Sequence, residues 1–143
     1  MDSKPILLAE DRADDQLLVK RALKSKNITN PLIIANDGVE ALDYLFGTGM
    51  RKAEGPIKPA VVLLDIKMPR IDGLEVLQRL RADDATKRLP IVMMTSSDEE
   101  RDLMRSYDLG VNSYIRKPVD FTEFAEAIAQ IGLYWLLLNK APT

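Results

Sequence analysis

The sequence of 143 residues contains no cysteine and no histidine. Without cysteine the chain can form neither a disulfide framework nor a thiolate nucleophile. Without histidine it lacks both the commonest zinc ligand and the usual general base, which excludes most hydrolase mechanisms. The formal net charge of -2 provides no basic surface of the kind that binds phosphate backbones. We therefore expect no nucleic-acid partner.

Long apolar runs are also missing. No stretch approaches the roughly 20 residues that cross a bilayer, and residues 1–5 lead into a strand pattern and not into a signal peptide. We expect a cytoplasmic protein without a membrane partner. The length suits one domain, predicted to cover residues 1–143 with a folded core at about 5–138.

Short apolar segments alternate with helical patterns along the whole chain. Strands are predicted at residues 6–9, 32–35, 60–64, 91–95 and 113–116, and a helical pattern follows each of them. Uniformly apolar strands of this length are typical of a sheet that helices cover on both faces. The repeats predict an α/β fold with a doubly wound parallel sheet.

Two details of this pattern carry separate expectations. In the fourth helix the apolar spacing predicts that Leu103, Met104 and Tyr107 face the core. Residues 47–59 contain three glycines and two prolines, which predicts a long surface loop. A tolerated insertion without function is the favoured interpretation of that loop, because lengthening a loop costs little.

Charged and hydroxyl side chains stand where the predicted strands end. Glu10 and Asp11 follow the first strand, Asp65 the third and Lys117 the fifth, while Thr95 ends the fourth. The carboxyl ends of parallel strands share one edge of a sheet, so these side chains should converge. Clustered carboxylates resist ionising together, and Mg²⁺ is the cation that suits oxygen ligands and a phosphoryl group. Asp65 is the best-placed nucleophile for a phosphoryl donor.

Plainer interpretations of the same residues exist. Asp11 could serve only as a helix N-cap, and Lys117 could be an ordinary surface lysine beside a turn. Asp14 and Asp15 fall in the first turn of a helix, where negative charge is favourable, and we assign them no chemical role. Arg12 either reaches a phosphoryl group or points to solvent.

The motifs together resemble the receiver domain of two-component response regulators. The matching segments share strand-end positions and chain order: Glu10-Asp11, Leu64-Asp65-Ile66-Lys67-Met68-Pro69 with Asp72-Gly73, Thr95-Ser96-Ser97, and Tyr114 with Lys117-Pro118. The resemblance implies the flavodoxin-like (βα)5 fold with strand order 2-1-3-4-5. It implies a stand-alone regulator that accepts a phosphoryl group from a sensor histidine kinase and signals to a protein partner. It does not imply an enzyme acting on a separate substrate.

The resemblance also assigns roles to single residues. Asp65 corresponds to the phosphorylated aspartate. Glu10, Asp11, Asp65 and the carbonyl of Lys67 correspond to the Mg²⁺ site, Thr95 and Lys117 to the pair that contacts the phosphoryl group, and Tyr114 to the aromatic switch residue.

The C-terminal segment is apolar on every side. A helix that buries one face cannot also bury Tyr134, Leu137 and Leu138, so we expect these residues to form a homodimer interface. This tail, together with the loop at residues 47–59, is similar to the small regulators that partner phytochrome-type histidine kinases.

Two other functions remain as alternatives. A phosphohydrolase of the haloacid dehalogenase kind would need an Asp-x-Asp pair, but Ile66 and Lys67 follow Asp65. A degenerate receiver that acts as a scaffold without phosphorylation would be expected to lack site residues, and all of them are present.

Overall fold

The chain forms a parallel five-stranded sheet with helices on both faces. The computed structural model describes residues 4–25, 27–95, 100–117 and 120–130. In chain order the elements are β1 (Ile6–Ala9), α1 (Ala13–Ser25), β2 (Leu32–Ala35), α2 (Gly38–Phe46), a short 3₁₀ helix (Gly49–Arg51), β3 (Val61–Asp65), α3 (Gly73–Ala82), β4 (Ile91–Thr95), α4 (Glu100–Asp108), β5 (Ser113–Arg116) and α5 (Phe121–Gln130). None of the helices in these described ranges is long and apolar enough to cross a membrane.

The strand order is β2-β1-β3-β4-β5, as predicted. Four strands occupy the residues expected from the sequence, and β3 lies one residue later, so that Asp65 is its last residue. The register pairs Ala9 with Leu64 and Asp65 with Met94. The ends of β1, β3 and β4 are therefore level at one edge of the sheet.

Alternation along the strands divides the core into two layers. Ile6 and Leu8 of β1 pack in one layer with α1 and α5, where Val19 and Phe124 are buried. Leu7 belongs to the other layer, with α2 and α3. Successive strand residues point to opposite faces, so each strand contributes to both layers.

The same alternation, continued to the strand ends, places the site residues on two faces. Glu10 and Asp65 follow the parity of the residues that face α1 and α5, and so does Lys117 after β5. Thr95 and Tyr114 follow the opposite parity, that of the layer with α2 and α3. The sheet thus separates the acids and the lysine from the hydroxyl and the aromatic ring.

The connection from β3 to α3 folds back tightly onto Asp65. The Asp72 side chain accepts a hydrogen bond from the Glu75 amide at 2.9 Å and so caps α3. The Gly73 amide donates to the Ile66 carbonyl at 2.7 Å. A Cβ atom at Gly73 would overlap the carbonyl oxygen of Asp65. Glycine is required here because the helix begins against the backbone that carries the site.

The prediction that Met104 and Tyr107 of α4 face the core is wrong, and the predicted Leu103 side chain lies outside the described part of the structure. Met104 is 61% exposed and Tyr107 is 52% exposed, whereas Ser106 is completely buried. The Tyr107 ring packs edge-on against Tyr114, with the centroids 5.8 Å apart. Ser106 faces the interior, so Met104 and Tyr107 lie on the outer side of the helix.

The predicted surface loop at residues 47–59 is present and contains a short helical turn. It contains the 3₁₀ helix, and the Arg51 guanidinium lies 5.3 Å from the centre of the Tyr44 ring. The Ile57 amide donates to the Tyr44 carbonyl at 2.9 Å. Met50 remains 72% exposed. The loop therefore packs against α2 through the contacts of Arg51 and Ile57 with Tyr44.

We expect Gly73→Ala to destabilise the protein by about 1–3 kcal/mol, because the new Cβ forces the β3–α3 connection away from Asp65. Helix propensity alone predicts the opposite sign, since alanine is favoured over glycine in a helix. Urea unfolding measures the difference. Gln78→Ala, on the exposed side of α3, is the control and should stay within about 0.5 kcal/mol of wild type. A Gly73→Ala variant as stable as wild type would contradict the close approach.

Candidate functional site

Lys117 lies at the centre of a cluster of carboxylates at the edge of the sheet. Its ammonium is 3.1 Å from Asp15 Oδ2 and 3.2 Å from Asp65 Oδ2, and it also pairs with Glu10 Oε1. The Lys117 side chain is only 8% exposed. The interpretation of Lys117 as an ordinary surface lysine does not hold in this structure.

Glu10 is completely buried at the end of β1. Its Oε2 accepts a hydrogen bond from the Arg12 amide at 3.1 Å, and its carbonyl accepts one from the Gln16 side chain at 2.7 Å. Burial raises the pKa of Glu10 from 4.5 to about 7, against the lowering effect of the Lys117 hydrogen bond. The carboxyl group is therefore held between its protonated and ionised forms near neutral pH.

Asp65 is 4% exposed. Burial raises its pKa, and this outweighs the charge and hydrogen bond of Lys117 and the hydrogen bond from the Lys67 amide, which lower it. Burial alone would lower the pKa of Lys117, but the hydrogen bond to Glu10 and the charge of Asp65 reverse the shift and raise it. The lysine is charged, but its single positive charge does not neutralise the carboxylates around it.

Three of the acids have the geometry of a metal site. Ligand oxygens of Glu10, Asp11 and Asp65 all lie within 4.8 Å of one another. Asp11 is exposed and the other two are buried, so the cluster opens to solvent on one side. An all-oxygen donor set with excess negative charge fits a divalent cation such as Mg²⁺ or Ca²⁺. The neighbouring ammonium cannot neutralise three carboxylates by itself.

Thr95 and Tyr114 complete the set of predicted site residues. Thr95 is buried at the end of β4, and its carbonyl accepts a hydrogen bond from the Lys117 amide at 2.9 Å. Tyr114 is half-buried in β5 beside Tyr107. The backbone bond ties the position of Lys117 to the end of β4. The structure brings Glu10, Asp65 and Lys117 into contact and places Thr95 at the same edge.

Asp15 is a site residue to which the sequence analysis assigned no role. It lies in the first turn of α1, and its carboxylate contacts both Lys117 and Arg12. Val19 is buried on α1, and Asp15 precedes it by four residues on the same helical face. That spacing was a usable signal: the acid continues the face that covers the sheet.

The predicted interface residues Tyr134, Leu137 and Leu138 lie outside the described residues. The homodimer therefore stays a prediction.

Comparison with known proteins identifies the family. The sequence profile of the response regulator receiver domain matches residues 6–129. The chain belongs to this family. Receiver domains take a phosphoryl group from a histidine kinase and bind a divalent metal ion at acidic residues, and they are not classical enzymes. The prediction of a two-component receiver with a flavodoxin-like fold is confirmed.

Three relatives of this receiver are informative. The bacteriophytochrome response regulator AtBRR is 48% identical, with a TM-score of 0.86 over 98% of this chain and 100% of that one. Rcp1 of Synechocystis sp. is 37% identical over 133 residues, covering 93% of this chain and 89% of that protein. The structure of its Mn²⁺-bound form has a TM-score of 0.77 and covers 97% of both chains. The phosphorylated cyanobacterial phytochrome response regulator RcpA is 33% identical, with a TM-score of 0.77 over 98% of this chain and 97% of that one.

We expect Lys117→Met in the metal-free receiver to lose about 3 kcal/mol of unfolding free energy at about pH 8, because buried carboxylates are left unpaired. The loss should shrink at about pH 5, where Glu10, whose pKa burial raises to about 7, takes up a proton. Lys87→Met is the matched control. Lys87 pairs at 2.9 Å with Asp84, which is 95% exposed, so that variant should lose less than about 1 kcal/mol. Equal losses in the two variants would contradict the assignment.

Proposed function

We propose that this receiver accepts a phosphoryl group from a sensor histidine kinase onto Asp65, in a Mg²⁺-dependent reaction, and signals to a protein partner through a conformational switch. The observation that carries the proposal is the environment of Asp65. Its buried carboxylate contacts Lys117 at 3.2 Å and lies within 4.8 Å of the Glu10 and Asp11 carboxylates. A nucleophile, a cation for the phosphoryl oxygens and a set of metal ligands thus meet at one point.

The chemistry needs no general base, because the nucleophile is already an anion. An oxygen of Asp65 attacks the phosphorus of the kinase phosphohistidine. As the new O–P bond forms, the P–N bond breaks, and its electron pair stays on the departing imidazole. Lys117 binds one phosphoryl oxygen as a compact charge, and the Thr95 hydroxyl donates a hydrogen bond to another. A chain without histidine can therefore perform its half of the transfer.

Four groups would hold the Mg²⁺: Asp11 and Asp65 directly, Glu10 through water, and the Lys67 carbonyl. The fit rests on the donor set, which consists of oxygens only and carries more negative charge than Lys117 can offset. When bound, the ion supplies positive charge that stabilises the crowded carboxylates and the phosphoryl oxygens. The Mn²⁺-bound form of Rcp1 supports a divalent ion at such a site.

The switch would use the face of the sheet opposite to the acids. Thr95 and Tyr114 share that face, and Tyr107 covers Tyr114 edge-on. Drawing the Thr95 hydroxyl towards a phosphoryl group leaves space into which the Tyr114 ring can turn. A groove of about 380 Å³ lies beside these rings and is lined by Tyr107, Tyr114, Ile115, Arg116, Glu123, Glu126 and Ala127. A protein partner would recognise the altered groove.

The kinase partner in this proposal is of the phytochrome type, since AtBRR and RcpA are both named as phytochrome response regulators. We infer that residues 1–143 act as a single receiver domain in the cytoplasm and that the output partner is a protein. The net charge of -2 gives no support for a nucleic-acid partner.

Incubation with acetyl phosphate and Mg²⁺ should add one phosphoryl group, measured by intact-protein mass spectrometry. Asp65→Asn should abolish the gain, because an amide oxygen is a poor nucleophile. Asp14→Asn, which changes an exposed acid of the same charge in α1, should retain it. An Asp65→Asn variant that still gains one phosphoryl group would disprove the assignment of Asp65.

Saturating Mg²⁺ should raise the melting temperature, with a gain of about 2.7 kcal/mol at a hundredfold excess over the dissociation constant. At one fixed Mg²⁺ concentration, the gain in unfolding free energy should be larger at about pH 8 than at about pH 6. Burial raises the pKa of Glu10 to about 7, so protons compete with the metal below that pH. Without metal, stability should fall as the pH rises from about 4.5 to 7, because the folded state then binds more protons than the unfolded state. If Glu10→Ala combined with Asp11→Ala leaves the Mg²⁺ affinity unchanged, the ion binds elsewhere.

We further propose that the receiver forms a homodimer through Tyr134, Leu137 and Leu138. Burying one such side chain contributes roughly 1.5–3 kcal/mol, so a dimer interface that buries all three would be favoured. Analytical ultracentrifugation at micromolar concentration should detect the dimer, and polar replacements at the three positions should dissociate it. A monomer at every accessible concentration, with or without phosphorylation, would count against this interface.

A further inference from the structure

We propose that Asp15 is a positioning residue that holds Lys117 before phosphorylation and releases it to the phosphoryl group, and that Arg12 assists this release by competing for Asp15. The inference rests on the proposed role of Lys117 as the cation that binds a phosphoryl oxygen. It concerns Asp15 in the first turn of α1 and Arg12 just before that helix, two residues to which the proposed function gives no role.

The number of N–H donors on Lys117 limits how many groups it can bind at once. A lysine ammonium has three N–H groups and no acceptor. Around Lys117 stand three carboxylates, those of Glu10, Asp15 and Asp65. One N–H for each of the three carboxylates would use every donor of Lys117. A phosphoryl oxygen can therefore bind Lys117 only in place of one of these contacts.

The three carboxylates differ in the free-energy cost of losing their contact with Lys117. The Glu10 side chain is 0% exposed, and losing its partner would leave a buried charge. The Asp65 side chain, 6% exposed, accepts the phosphoryl group in the proposed function, so Lys117 has to stay beside it. Asp15 is 16% exposed, the most accessible of the three, so water can replace the lost bond. Its contact with Lys117 is the one that breaks most cheaply.

A second cation, Arg12, lies beside Asp15. Arg12 Nε lies 3.7 Å from Asp15 Oδ2, the same oxygen that Lys117 contacts at 3.1 Å. The Arg12 side chain is 69% exposed and can move closer without disturbing the core. When Lys117 turns to the phosphoryl group, Arg12 remains to neutralise Asp15. One lysine contact is exchanged for one arginine contact, and the carboxylate stays paired.

This arrangement predicts opposite effects for the two residues. Asp15→Asn replaces the carboxylate by a neutral group of the same shape, so Lys117 is freer and one negative charge beside the phosphoryl group disappears. Binding of a phosphoryl mimic should become about threefold to tenfold tighter. Arg12→Gln leaves Asp15 to Lys117 alone, so binding should become weaker by about twofold to fivefold. In the Asp15→Asn background, Arg12→Gln should change little.

The probe is fluoroberyllate, which mimics a phosphoryl group on a carboxylate, titrated by calorimetry at saturating Mg²⁺. The four proteins of the cycle are wild type, the two single variants and the double variant. Asp14→Asn removes the same charge from the neighbouring exposed position and controls for long-range electrostatics. Asp15→Glu, which keeps the carboxylate, should bind the probe within about twofold of wild type. Mg²⁺ affinity without fluoroberyllate and the melting temperature are measured in parallel, because a merely structural role would change these and not the probe affinity alone.

Tighter binding in Asp15→Asn, unchanged binding in Asp14→Asn and loss of the Arg12 effect in the double variant would support the inference. Weaker or unchanged binding in Asp15→Asn would overturn it, as would an Arg12→Gln effect of the same size in both backgrounds. The proposed function fails separately: a wild-type protein that binds no fluoroberyllate would overturn both, whereas wild-type binding that Asp15→Asn leaves unaltered would overturn only the role of Asp15.

Discussion

The structure depends on a single buried ammonium that serves more carboxylates than it can neutralise. Lys117 contacts Glu10, Asp15 and Asp65, and Asp11 adds a fourth acid at the open side of the cluster. Burial raises the pKa values of Glu10 and Asp65 despite that contact. Because the carboxylates outnumber the ammonium, the site has a deficit of positive charge, and a ligand that adds positive charge to this site is bound favourably. The affinity for a divalent ion therefore follows from the same burial that makes the metal-free site costly.

The sheet is what creates the deficit. Parallel strands end at a common edge, so residues that are distant in the chain, such as Glu10, Asp65 and Lys117, arrive at one place. Strand alternation then sends Thr95 and Tyr114 to the opposite face from the acids. In the proposed function, a phosphoryl group on Asp65 would be contacted by Lys117 from one face and by Thr95 from the other. Chemistry and its readout share an edge but occupy different packing layers.

The backbone around the site is as constrained as its charges. Gly73 begins α3 against the carbonyl of Asp65, and Asp72 caps that helix through the Glu75 amide. Lys117 is tied to β4 by the bond from its amide to the Thr95 carbonyl. Under the proposed function, the side chains are therefore the parts that would rearrange on phosphorylation. Asp15 on α1 is the most exposed of the carboxylates around Lys117, which is why we propose it as the one that releases the lysine.

Local pattern by itself determined the strands and the residues at their ends, because a short apolar run depends only on neighbours in the chain. The strand order came from the resemblance of the motifs to receiver domains and not from the local pattern. The same pattern did not determine which way α4 faces: Tyr107 is exposed and contacts Tyr114 edge-on, because tertiary packing and not local periodicity sets the rotation of a helix. Asp15 looked like a favourable charge in a first helical turn. Its contact with Lys117 joins residues 102 positions apart, and only the folding of α1 against the sheet brings them together. Burial, which sets the pKa of Glu10, is likewise a property of the packed molecule and cannot be inferred from any short segment.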